Sequence, residues 1–116
     1  MASSSNASAN NEWLVILPDQ ENALERRLEV RPKHFAGLKP GIESGFWLMG
    51  GALLSSHPPP DSKDPPPMVG SALLARAATQ EELLEKLKAD PYTVGQVWDW
   101  NKVQIYPFKS AIRSGM

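Results

Sequence analysis

The chain has 116 residues, 41% of them apolar and 22% charged, with a formal net charge of −1 and no cysteine. That length supports one domain with its own core. The near-neutral balance gives no electrostatic footprint for nucleic acid, and the lack of cysteine excludes disulfides, thiolate nucleophiles and thiolate metal sites together.

No apolar run approaches the roughly 20 residues that a membrane span needs. Residues 1–11 are Ser, Asn and Ala after the Met, without the apolar stretch of a signal peptide or the arginines of a transit peptide. A disordered tail over 1–11, a single domain over 12–113 and a cytoplasmic protein without membrane partners are the expectations.

Trp13 to Leu17 is a short apolar run closed by Pro18-Asp19. It predicts a central strand buried on both faces. Asn22 to Leu28 is charged, with Leu24 and Leu28 at i,i+4 spacing, and predicts a short helix. Arg31 precedes a proline and is biased to an extended backbone. Pro32 then fits the first turn of a new helix and puts His34 about one turn in. Phe35, Leu38 and Ile42 have the spacing of one buried face. Pro40-Gly41 should kink or fray this helix, and Gly45 should stop it.

Phe46 to Leu54 predicts a second strand, in which Gly50-Gly51 suggests a bulge or the close approach of backbone or ligand. Ser55 to Pro67 holds six prolines in thirteen residues and predicts an extended, polyproline-like connection inserted between strands. A third strand follows over Met68 to Ala77. Thr79 and Glu82 form a capping box for a helix whose apolar face is Leu83, Leu84 and Leu87. That helix ends at Ala89, because Asp90 precedes Pro91. Gln96 to Tyr106 alternates and predicts a fourth strand, closed by Pro107.

The order strand, helix, strand, strand, helix, strand is the ferredoxin-like βαββαβ pattern. It predicts an α+β fold with two helices on one face of a four-stranded antiparallel sheet. The other face would be bare and would carry the tryptophans of the last strand. A second copy packed sheet against sheet through Trp98 or Trp100 is the expected partner.

Several residues in order point to a known family. They are Leu14 to Leu17, Arg27, Arg31-Pro32-x-His34, Gly45 with Gly50-Gly51, Gly70 to Leu74, Ala89-Asp90-Pro91-Tyr92, and Ile105-x-Pro107-Phe108. Together they resemble the YciI-like, or YCII-related, domain over Trp13 to about Arg113. The resemblance implies a dimeric α+β barrel and a cleft holding a histidine and an aspartate, which map to His34 and Asp90. Where activity is known in that family, it is elimination chemistry on a small hydroxylated ring. The proline-rich loop and the Ser/Asn tail depart from the family pattern.

On that basis His34 is the candidate proton-transfer group, since histidine suits that role near neutral pH, and Asp90 would hold its tautomer. Each also has a structural reading: a partly buried histidine, and an N-cap aspartate. Arg31 is a candidate fork donor to a carboxylate or phenolate, or a helix-start residue paired with Glu29 or another acidic neighbour. Tyr92 would donate a hydrogen bond in the cleft or simply pack there. Gly50 and Gly51 would let a ligand approach. His34 and His57 share no ligand spacing, so no metal site and no cofactor are expected. The preferred reading is a small cofactor-independent lyase or isomerase on an oxygenated cyclic, aromatic or polyketide-derived substrate. The alternative is a non-catalytic dimeric ligand-binding or accessory protein.

Overall fold

The computed structural model describes residues 11–113; the expected tail over 1–11 lies almost wholly outside that range. Side chains alternate along β1 (Glu12–Pro18): Val15 and Leu17 are fully buried, while Leu14 and Ile16, which alternate with them, stay half-buried. The strand is therefore buried on one face and not on both. It is nevertheless an inner strand of an antiparallel sheet of order β2-β3-β1-β4, with β2 at Trp47–Leu54, β3 at Met68–Arg76 and β4 at Gln104–Phe108. This is the ferredoxin-like arrangement.

One continuous helix, α1 (Leu24–Ser44), replaces the two expected from Asn22 to Leu28 and from Pro32. It runs through Pro32 and Pro40. A proline inside a helix costs about 3 kcal/mol, because it removes one N–H bond and crowds the carbonyl four residues back. Both prolines sit on the exposed side, where the freed carbonyls can meet water. The opposite side buries Arg27, His34 and Leu38. That contiguous face needs the helix unbroken, and its burial outweighs the local preference to stop. Phe35 and Ile42, expected in the core, remain 52% and 57% exposed.

The end of α1 follows the local rule. Gly45 takes the left-handed φ of 84°, and the N–H groups of Gly45 and Phe46 return to the carbonyls of Ile42 and Gly41. This turn feeds Trp47 directly beneath Gly41. A Cβ at Gly41 would collide with the Trp47 ring, so the glycine lets the tryptophan lie against the helix.

Bulges in β2 fall between Trp47 and Met49 and between Leu53 and Leu54, not at Gly50-Gly51. The two glycines pair regularly with Leu73 and Ala72. A Cβ at Gly50 would lie 2.7 Å from the Leu73 side chain, so close packing explains that glycine. The proline-rich segment is the connection between β2 and β3, closed at its base by Ser55 N–H donating to the Pro67 carbonyl.

Helix α2 (Gln80–Ala89) starts at the expected box. Thr79 Oγ1 accepts from Glu82 N–H, and the Glu82 carboxylate accepts from Ala78 N–H. Leu83 and Leu87 are fully buried. Asp90 then ends α2 and caps the short α3 (Pro91–Val94), accepting from Tyr92 N–H.

The fourth strand is shorter and later than expected. Gln96 takes a left-handed φ of 60°, and Asp99 organises a turn with Asn101 and Lys102. Residues 96–103 are thus irregular apart from an isolated bridge between Trp98 and Asp19, and the strand itself begins only at Gln104. Pro107 lies within β4 and does not close it, as an edge strand permits.

All three helices pack on the Val15–Leu17–Leu73–Ala75 face, in one core with Leu38, Leu83, Leu87, Tyr92 and Trp98. Trp98 is 1% exposed within that core, and Trp100 donates from its indole N–H to Thr93 Oγ1. Neither lies on the uncovered sheet face, which corrects the expected dimer contact. That face carries Leu14, Ile16, Met49 and Tyr106 instead. Among the described residues, no helix is long and apolar enough to cross a membrane.

Candidate active site

A cleft of about 460 Å³ opens between α1 and the β2 edge, over the helix-side face of β3. That volume suits a small-molecule ligand. Arg31, Phe35, Leu38 and Ile42 form its helical wall, and Trp47 to Ala52 form the strand wall. Arg27, His34, Ser71 and Tyr92 supply polar groups to its lining.

His34 reaches this position because α1 continues through Pro32. Its Nδ1 lies 2.8 Å from Asp90 Oδ1, with both side chains less than a tenth exposed. A carboxylate only accepts, so Nδ1 carries the proton. In the neutral ring this leaves Nε2 as the free base. Asp90 Oδ1 also accepts from Tyr92 N–H at 2.8 Å, so one carboxylate caps α3 and aligns the imidazole. Asp90 lies behind His34 and does not itself line the cleft, contrary to the expectation that both would face it.

The Tyr92 ring stacks on His34 with centroids 3.8 Å apart and planes 12° apart, and the Trp98 edge meets both rings. These contacts leave the imidazole little room to turn. Burial raises the Tyr92 phenol above its ordinary value of 10.0, with Arg27 and Arg31 opposing the shift. Tyr92 therefore stays neutral at physiological pH. A phenol raised by folding stabilises the fold fully below pH 10.0, and this contribution is lost as pH rises through the folded value. In Tyr106→Phe, the remaining tyrosine's phenolate absorbance should appear above the ordinary range. Titration at the ordinary value in still-folded protein would mean that Tyr92 is solvated.

The base of the site is a network that sequence reading did not identify as functional. Arg27 Nη1 makes two bonds to Asp19, at 2.9 and 3.0 Å, and Arg27 Nη2 donates to Ser71 Oγ at 2.8 Å. The same Ser71 oxygen accepts from Trp98 Nε1 at 3.1 Å. The Arg27 guanidinium carbon stands 4.8 Å from the Tyr92 ring centre. Burial raises the Asp19 carboxyl, while Arg27 pulls it down. Arg27 and Ser71 carried the family resemblance but had no assigned role, and Asp19 showed only as a strand end. Nothing local in the sequence pairs residues 8 and 44 positions apart.

Of the other candidates, Arg31, Gly50, Gly51 and Tyr92 all line the cleft. Arg31 is exposed at the rim beside Phe35, and among the described residues it makes no ion pair with Glu29 or any other carboxylate. His57 sits exposed in the proline-rich loop. No group of three or more His, Cys, Asp and Glu converges on a metal position among the described residues.

The chain is thus an α+β domain with a ferredoxin-like sheet, a helix-side cleft and a buried His–Asp pair. The YCII-related domain matches residues 12–109, and the chain belongs to that family. It is 33% identical over 106 residues to aspercryptin biosynthesis cluster protein B of Emericella nidulans, an alignment covering 91% of this chain and 67% of that one. It is 30% identical over 104 residues to fusaric acid biosynthesis protein 2 of Gibberella fujikuroi, covering 90% and 98%. The fold is also that of the 5-chloro-2-hydroxyhydroquinone dehydrochlorinase TftG from Burkholderia phenoliruptrix AC1100, solved with 2,5-dihydroxybenzoquinone. There the TM-score is 0.71 with 24% identity, over 84% of this chain and 93% of that one.

Proposed function

We propose that the chain is a cofactor-independent lyase that eliminates water or a hydrogen halide from a small oxygenated ring. The observation that carries this reading is the His34–Asp90 contact of 2.8 Å at the edge of a ligand-sized cleft. His34 Nε2 would take a proton from a ring C–H or O–H. The electron pair left behind moves into the ring as a new double bond, and the leaving group departs with the electrons of its own bond. Asp90 keeps Nδ1 protonated, so that Nε2 remains the base. Arg31 at the rim would draw in a carboxylate or phenolate. Two relatives named for the biosynthesis of small molecules and a dehydrochlorinase of the same fold support small-molecule chemistry of this kind.

Incubation with 5-chloro-2-hydroxyhydroquinone tests the elimination step, with chloride release followed by ion chromatography. Release above the uncatalysed rate that disappears in His34→Ala supports it. Binding of this ring without turnover, extended to hydroxylated rings with other leaving groups, would shift the reading to a ligand-binding accessory protein.

We further propose that the chain forms a homodimer through its uncovered sheet face. Met49 and Tyr106 on that face are 44% and 49% exposed, and Leu14 and Ile16 lie between them on the sheet. An exposed apolar sheet face marks an association surface. Sedimentation at micromolar concentration should give twice the chain mass, and Ile16→Glu should give the monomer. A monomeric parent protein would remove the proposal.

A further inference from the structure

Ser71 is 3% exposed on β3, at the floor of the cleft. Its oxygen receives two N–H donors, Arg27 Nη2 at 2.8 Å and Trp98 Nε1 at 3.1 Å. A serine hydroxyl has two lone pairs and one proton. Both donors are acceptor-free groups, so the lone pairs are taken and the proton must go elsewhere. Among the described residues, the Ser71 hydroxyl makes no hydrogen bond to a protein acceptor. A buried donor left without a partner is costly, and the cleft is the open space beside it.

We infer that the Ser71 hydroxyl is a substrate-binding donor, directed into the cleft to hold a ring oxygen of the ligand. This rests on the cleft being the ligand site, as proposed above, and deepens that reading by placing the oxygenated end of the ring at the β3 floor. The geometry fixes the polarity of the contact. With its lone pairs occupied by a guanidinium and an indole, Ser71 can donate but not accept. The charged donor behind it polarises the O–H bond, so the preferred ligand atom is a phenolate, enolate or carbonyl oxygen. A ring oxygen held there sits on the same cleft lining as His34. Oxygen-bearing rings are thereby selected over equally sized hydrocarbon rings.

Two probes separate this role from scaffolding: 4-nitrophenol, studied where it is the phenolate, and 4-nitrotoluene, which replaces the oxygen with a methyl group. Trp47 lines the cleft, so binding of either nitroaromatic is followed by quenching of tryptophan fluorescence. Ser71→Ala should weaken 4-nitrophenolate about tenfold, the loss typical of one hydrogen bond, and leave 4-nitrotoluene within about twofold. Ser71→Thr keeps the hydroxyl and should restore most of the difference between the probes, which also covers the case in which the alanine variant fails to fold.

Equal weakening of both probes in Ser71→Ala, or unchanged binding of both, would overturn the Ser71 role while leaving the cleft reading in place. So would loss of phenolate preference in folded Ser71→Thr. If the parent protein binds neither probe, and neither protects the cleft residues in hydrogen exchange, the cleft reading fails and the Ser71 inference falls with it.

Discussion

Replacing His34 with glutamine should lower turnover by about 100-fold or more, the usual loss when a general base is removed, while the protein stays folded. The glutamine amide can still donate toward Asp90 but offers no basic nitrogen to the cleft. The methylene stem and planar amide of the glutamine would still cover the Tyr92 ring. Asp90 would keep its other donor, the Tyr92 N–H at 2.8 Å.

Asp90→Asn is the sharper partner of this experiment. Asparagine caps a helix about as well as aspartate, so α3 should hold. Because Oδ1 makes both contacts, the asparagine oxygen that keeps the cap also keeps Nδ1 protonated, but as a neutral acceptor it no longer stabilises the imidazolium formed when Nε2 takes a proton. Turnover should then fall although the histidine is untouched. Melting curves and turnover measured on the same samples decide the matter. If both variants lose stability in step with activity, and activity per folded molecule is unchanged, the pair is a structural contact and not a proton-transfer device.

The parts of this fold that were legible in the sequence rest on short-range chemistry. Thr79 with Glu82, Gly45 after α1, and Asp90 before Pro91 each act within a few residues, and each occurs where its local rule puts it. The continuity of α1 could not be read the same way. Pro32 and Pro40 carry a strong local stop signal, and what overrides it is the burial of Leu38, His34 and Arg27 against distant elements. The alternation from Gln96 to Tyr106 likewise suggested a strand. Trp98 is instead drawn under the helices to reach Ser71, 27 residues away, and the left-handed Gln96 starts the detour.

The candidate site divides along the same line. His34 and Asp90 stood out through chemistry and family resemblance. The direct contact between them, and the Asp19–Arg27–Ser71 network beside them, depend on tertiary proximity alone. Lone residues of ordinary type reveal no partners until the sheet register is known.

Arg27→Met should destabilise the protein by roughly 3–5 kcal/mol, the cost of breaking a buried ion pair from one side. That is a large share of the 5–15 kcal/mol that holds a typical domain together. Arg27 and Asp19 have side chains only 4% exposed, so solvent screens the pair little and cannot rescue the stranded carboxylate. Ser71 would also lose its shorter donor.

Two features distinguish this origin from simple loss of packing. The double variant Arg27→Met with Asp19→Leu should recover most of the loss, because an apolar pair leaves no uncompensated charge. The defect should also depend on pH. Burial already raises the Asp19 carboxyl above 3.8, and Arg27 is the main group pulling it down. Without Arg27 the folded carboxyl rises further. A carboxyl raised by folding favours the native state below the unfolded value, and that advantage is lost as pH climbs through the folded value. The gap between variant and parent should therefore be smallest near pH 4 and widen toward neutrality, as measured by urea unfolding across that range. A gap that is constant with pH, together with no recovery in the double variant, would mean that Arg27 supports the site through its packed aliphatic stem and its contact with Tyr92 instead of through its charge.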